Sequence, residues 1–331
     1  GEDGAAPAVQ EFIINVVYNY LVINFDLSFG NNLVSFYSIP PEDQSIEFVF
    51  DSLGDNLTHI FGESQLAFNL GDGVWAGSLS ELLPEKGYWL RLEETAELPV
   101  YGLPQGDVQY IVHEGANLIS YPFATAQEIE DALPDDVQVH IDAIYGQNLA
   151  AININGNWIG SLDAFEGGRG YWIISDESFV FEFNAPEGAS MARQNTSHEI
   201  SDEHNYYQST SQSFYFIENI ELTNSDIEIG DWIVAYNDDV VVGSRQWMGE
   251  YTDVPTMGYD ESDENTFGYC EIDDIPRFKI HKALTGEIID LVSVEVVPGW
   301  NNNSHAIIEL RDNVLPEEVV LHSAYPNPFN P

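Results

Sequence analysis

The strongest constraint on the fold is an internal repeat. Gly30-Asn31-Asn32-Leu33-Val34-Ser35-Phe36 recurs as Gly115-Ala116-Asn117-Leu118-Ile119-Ser120-Tyr121, an offset of 85. Trp75-Ala76-Gly77-Ser78-Leu79 recurs as Trp158-Ile159-Gly160-Ser161-Leu162, and Gly87-Tyr88-Trp89-Leu90 as Gly170-Tyr171-Trp172-Ile173, both at an offset of 83. A fourth block, Asp51-Ser52-Leu53 before Asp55, matches Asp131-Ala132-Leu133 before Asp135. Blocks that keep their order and spacing indicate two tandem copies of one structural unit. Each copy reads as a small α+β unit: an apolar opening strand, a helix, a Trp-bearing strand and a Gly-Tyr-Trp strand. The spacing predicts helices over 45–53 and 125–133, with Ser45 and Thr125 as N-caps. In Tyr88/Trp89 and Tyr171/Trp172, adjacent rings point to opposite faces of a strand, so one ring of each pair is expected in the core.

The stretch from Phe12 to Phe29 precedes the first copy and has no sequence counterpart before the second. Phe12, Ile14, Val16, Tyr18, Tyr20, Val22 and Phe25 make it rich in strand formers, and it contains neither Gly nor Pro. Such a strand aggregates if left exposed. It therefore either completes a sheet of its own chain or adds to a sheet edge of a neighbouring copy. Under the second reading those residues are the assembly candidates.

Residues 188–212 lack periodicity and read as a linker. Within them His198 and His204 are six apart, whereas a zinc-binding helix needs four. From 213 to 313 short strands alternate with turn signals, which suits an antiparallel β-sandwich of about 100 residues. Asn237-Asp238-Asp239 is placed for a hairpin turn. The expected fold is mainly β with short helices: an arm and strand (1–29), two α+β modules (30–105 and 106–187), a linker (188–212), a sandwich (213–313) and a tail (314–331).

Charge excludes partners. The 331 residues include 56 acidic and only 9 basic side chains, for a net charge of −47, and the first basic residue is Lys86. Nucleic acids and anionic membrane surfaces are held by Lys/Arg patches, which this chain lacks. A 44% hydrophobic and 13% aromatic composition still builds cores, so disorder is excluded. No run of about 18 apolar residues predicts a membrane span. Cys270 stands alone and forms no internal disulfide. In the acidic loops, Asp260, Asp263, Asp273 and Asp274 are candidate Ca²⁺ ligands, without EF-hand spacing. Trp75, Trp158 and Trp247 are candidate stacking platforms for a glycan. No nucleophile elbow, phosphate loop, dinucleotide fingerprint or zinc-ligand set occurs, so a non-enzymatic role is expected.

The last residues add an address. Tyr325-Pro326-Asn327-Pro328-Phe329-Asn330-Pro331 resembles the opening of the C-terminal sorting domain carried by type IX secretion cargo of Bacteroidota and related marine bacteria. That resemblance implies contact with the type IX machinery and an extracellular or cell-surface location. The doubled motifs resemble a widespread extracellular repeat of no assigned activity. Gly230-Asp231-Trp232-Ile233-Val234-Ala235-Tyr236 with Val242-Gly243-Ser244 resembles a secreted β-module. The expected function is a secreted structural protein, a self-assembling surface or filament subunit whose partner is itself. The alternative is an adhesin or carbohydrate-binding protein, calcium-stabilised, holding an extracellular glycan.

Overall fold

The computed structural model describes residues 20–105, 107–186 and 204–313. Gly30 and Gly115 open the two repeats at φ +82° and +97°, a backbone conformation that favours glycine. Two residues on, Asn32 and Asn117 staple the turn: their Oδ1 atoms accept the N–H groups of Ser28 (2.8 Å) and His113 (2.9 Å).

Module one comprises β1 (Leu21–Leu27), β2 (Gly30–Ser35), β3 (Ser38–Ile39), α1 (Ile46–Val49), β4 (Leu57–Gly62), β5 (Gln65–Asn69), β6 (Trp75–Gly77), β7 (Gly87–Leu92) and β8 (Ala96–Pro104). Module two comprises β9 (Tyr110–Val112), β10 (Gly115–Ile119), β11 (Gln127–Glu128), α2 (Ile129–Ala132), α3 (Asp135–Gln138), β12 (Ile141–Gly146), β13 (Leu149–Ile154), β14 (Asn157–Gly160), β15 (Ala164–Phe165), β16 (Tyr171–Ser175) and β17 (Phe179–Phe181). Their five-stranded sheets share one order, β2-β7-β4-β5-β6 and β10-β16-β12-β13-β14. Even a ladder irregularity recurs, between Leu57 and His59 and between Ile141 and Ala143. The antiparallel pair β1–β8 recurs as β9–β17, so residues 21–27 do have a structural counterpart. At three residues, β9 is too short to register as a sequence repeat. Phe12, Ile14, Val16 and Tyr18 lie outside the described residues.

The helices are shorter than their sequence spacing suggests. Ser45 caps α1, its hydroxyl accepting the Phe48 N–H at 3.4 Å. Thr125 does not cap α2. Residues 127–128 first pair as β11 with β15, and the helix starts behind Glu128 without a side-chain cap.

The repeated motifs are explained by a reciprocal joint. Ser35 N–H donates to the Gly168 carbonyl (3.0 Å), and Ser120 N–H to the Glu85 carbonyl (3.1 Å). Bridges Val34–Arg169 and Lys86–Ile119 accompany them. A Cβ on Gly87 would lie 2.8 Å from the Ile119 carbonyl oxygen, and one on Gly170 2.8 Å from that of Val34. Leu33, Leu118 and Trp89 form one apolar cluster, joined by Trp172 and Phe61. The same patch is used by both repeats, as in an isologous dimer interface. Tyr88 and Tyr171 fill their own module cores, their hydroxyls accepting the N–H groups of Leu83 and Glu166 at 2.7 Å. Tyrosine thus serves the core and tryptophan the joint, which places both rings of each pair in packing roles.

Module three comprises β18 (Gln212–Glu221), β19 (Trp232–Asn237), β20 (Val240–Gln246), β21 (Thr252–Met257), β22 (Arg277–His281), β23 (Ile288–Ser293) and β24 (His305–Asp312). They form one sheet, β20-β19-β22-β23-β24-β18-β21. It curls almost closed: Gly243 of β20 sits against the Pro255 carbonyl of β21, leaving no room for a side chain. The expected two sheets are therefore halves of one continuous sheet, and β18 and β24 pair in parallel. Asp238 and Asp239 make the hairpin turn between β19 and β20, with Asp238 at φ +49°. His204 at the end of the 188–212 stretch is buried, its Nε2 2.6 Å from Nδ1 of His281. The chain is mainly β with short helices, and no helix among the described residues is long and apolar enough to cross a membrane.

Candidate functional site

In so acidic a chain, cations gather where modules meet. Arg91 on β7 is 5% exposed and reaches from module one into module three. Its Nη2 donates to Asp260 Oδ2 (2.5 Å), Nη1 to the Ser262 carbonyl (2.9 Å) and hydroxyl (2.7 Å), and Nε to Asn31 Oδ1 (2.9 Å). Asp263 Oδ2 lies 3.8 Å from Nε, and the Phe61 ring lies 5.2 Å from the guanidinium. Burial would raise the Asp260 pKa, but hydrogen bonds from Ser262 and the Arg91 charge outweigh it and hold the carboxyl below its ordinary value.

This geometry gives two of the four calcium candidates a different partner. Asp260 and Asp263 are ligands of a guanidinium. Asp273 (φ +71°, exposed) and Asp274 belong to a separate turn, where Asp274 Oδ2 accepts the N–H of Glu271 (2.8 Å) and Nδ2 of Asn237 (3.2 Å). No group of three or more His, Cys, Asp or Glu among the described residues is placed to hold a metal. A lone arginine inside the apolar strand Gly87–Leu92 was the signal for this joint, in a chain with so few basic residues.

The other joints follow the same logic. Arg245, 2% exposed, donates from Nη2 to the Asn148 carbonyl of module two (2.5 Å) and to Asp253 Oδ2 (3.1 Å). Asp253 also accepts the Ser161 hydroxyl at 2.8 Å, and complete burial pushes its pKa up. Between modules one and two, Glu63 takes Lys86 Nζ (3.3 Å), His113 Nε2 (2.7 Å) and the Leu118 N–H (3.1 Å). Each of the three module pairs is thus tied by at least one charged group.

The assembly candidates divide by strand alternation. On β1, Ile23, Phe25 and Leu27 face the module-one core, and Phe25 meets Phe36 edge-on at 5.2 Å. Phe25 is therefore a core residue and is unavailable to a partner. Tyr20 and Val22 are exposed, and Val22 stands opposite the exposed Tyr101 of β8. β1 is an edge of the sheet β1-β8-β3.

The tryptophans also divide. Trp247 is buried in the module-three core, so no sugar can stack on it. Trp75 and Trp158 are half-buried against their own cores. Trp158 donates from Nε1 to Gln138 Oε1 (3.0 Å). It lines a 270 Å³ cleft with Glu128, Glu130 and Asp163, and its partner Gln138 lines a separate 490 Å³ cleft with Asp135, Asp142, Asn153 and Asn155. Tyr325, Pro326, Asn327, Pro328 and Phe329 lie outside the described residues.

Compared with known proteins, the chain matches no family model, no curated protein and no solved structure.

Proposed function

We propose that the protein is a secreted, non-enzymatic structural subunit that assembles with its own copies at or beyond the cell surface, after export by a type IX system. The observation that carries this reading is that β1 is an edge strand among the described residues. Its outer face exposes Val22, with Tyr20 exposed just before the strand, and in sequence it follows the apolar run Phe12 to Tyr18. Modules tied together pairwise suit a rigid building block. The sorting-like tail supports the address. With no basic residue before Lys86, contacts through the first 85 residues rest on apolar side chains and backbone pairing. Negative-stain microscopy of the purified chain tests the reading: ordered oligomers or filaments are expected, and their loss on deletion of residues 1–19. Dispersed single particles at all concentrations would refute it.

A second reading is glycan binding in module two. Trp158 at the wall of a cleft with Glu128, Glu130 and Asp163 sets carboxylates that accept sugar hydroxyls beside an aromatic ring. Glycan-array binding lost on Trp158→Ala, with assembly unaffected, would favour it.

A further inference from the structure

The two repeats present the same sheet face in different states. In module two, the cross-strand pairs Tyr145/Ala150 and Ala143/Ile152 lie on the face of β12–β13, and Ile159 of β14 extends it. Module three covers this face with Phe214 and Phe216 of β18, and Tyr145 stacks on Phe214 at 5.0 Å. Ala150 and Ile152 are 0% and 2% exposed. The matching pairs in module one are Phe61/Leu66 and His59/Phe68, with Ala76 of β6 in the place of Ile159. There the contacts of module three among the described residues gather at Asn31 and Arg91. Leu66, Phe68 and Leu70 remain 41%, 37% and 63% exposed.

We propose that this face of β4–β5–β6 is the acceptor for a second copy of the chain, whose segment Phe12-Ile13-Ile14-Asn15-Val16-Val17-Tyr18 lies on it as β18 lies on module two. The inference deepens the self-assembly reading and rests on it. Four observations select this occupant. The covered face shows what fits: an extended strand that inserts alternate large apolar side chains, as Phe214 and Phe216 do. The leading segment has that alternation, with Phe12, Ile14, Val16 and Tyr18 on one side. Its seven residues extend about 23 Å at about 3.3 Å each, enough to cover β5 and Leu70 just after it. The segment and this face both precede the first basic residue, so the contact is apolar and strengthens when salt screens the acidic surfaces.

Sedimentation velocity of the full chain, with and without Leu66→Ser/Phe68→Ser, tests the face. Circular dichroism would confirm that the variant is folded. Association of the parent chain, rising with salt and weakened more than about tenfold in the variant, is expected. Equal association of both would overturn the acceptor face and leave self-assembly standing. A parent chain that stays monomeric at every concentration would overturn self-assembly itself. Mixing Val16→Cys chains with Leu66→Cys chains under mild oxidation tests the occupant. An intermolecular disulfide is expected. Its absence, or a disulfide found only when both cysteines share one chain, would overturn the second-copy assignment.

Discussion

Ile152 and Phe68 hold the same place in the two repeats, yet Ile152 is 2% exposed and Phe68 is 37%. The difference is the occupant of the face, since sheet order and register agree around both residues. In module two the cover is β18. In module one the position equivalent to Ile174 is held by Arg91, which anchors the acidic turn of module three, while Leu66 and Phe68 stay exposed.

The joint between repeats should fail symmetrically. Gly87→Ala and Gly170→Ala each drive a Cβ onto a backbone carbonyl of the other repeat. Each is expected to cost about 1–3 kcal/mol, measured by urea unfolding. A large cost at one glycine and none at the other would contradict the reciprocal interface.

Arg91→Leu leaves the largely buried carboxylates of Asp260 and Asp263 without their cation. A loss of about 3–5 kcal/mol is expected, and Arg91→Lys should restore little because lysine lacks the planar fork. The folded pKa of Asp260 lies below its unfolded value. Its stabilisation is therefore present above about pH 4 and lost as the pH falls through the lowered value. That acid-side slope should flatten in Arg91→Leu. A chelator should leave the parent melting temperature unchanged, because Arg91 occupies the turn.

His113 carries the opposite sign. Hydrogen bonds to the Glu114 carbonyl and to Glu63 raise its pKa above 6.5. Its contribution is full below that value and fades as the pH rises through the raised one. A proton NMR titration should show the elevated value, moving back towards 6.5 in Glu63→Gln.

Cys270 is buried, and burial pushes its thiol up to about 12. Ellman's reagent should not react with the native chain at neutral pH and should react fully in denaturant.

Much of this architecture was legible in the sequence, and the limits have physical causes. The shared order of blocks revealed the repeat, because Gly30, Asn32 and Tyr88 each serve a local turn or core that recurs. The partner of Trp89 was not legible. Period-two alternation tells which face a ring occupies, but the second repeat docks there through tertiary contact. The parallel pairing of β18 with β24 joins segments some ninety residues apart, as in Phe214 with His305, and no local turn signal records it. At the candidate site, the aspartates at 260 and 263 were recognised as a cluster. Their ligand was not, because Arg91 comes from another module 169 residues away. Trp247 looked like a platform because composition does not reveal which indole a closing sheet will enclose.

The most direct measurement is hydroxyl-radical footprinting of the full chain across a concentration series, read at Leu66, Phe68 and Leu70. Protection that grows with assembly, towards the level of Ile152 in the same sample, is expected. Oxidation of Phe68 that stays constant while the chain assembles, or a chain that never assembles, would contradict self-association through this face.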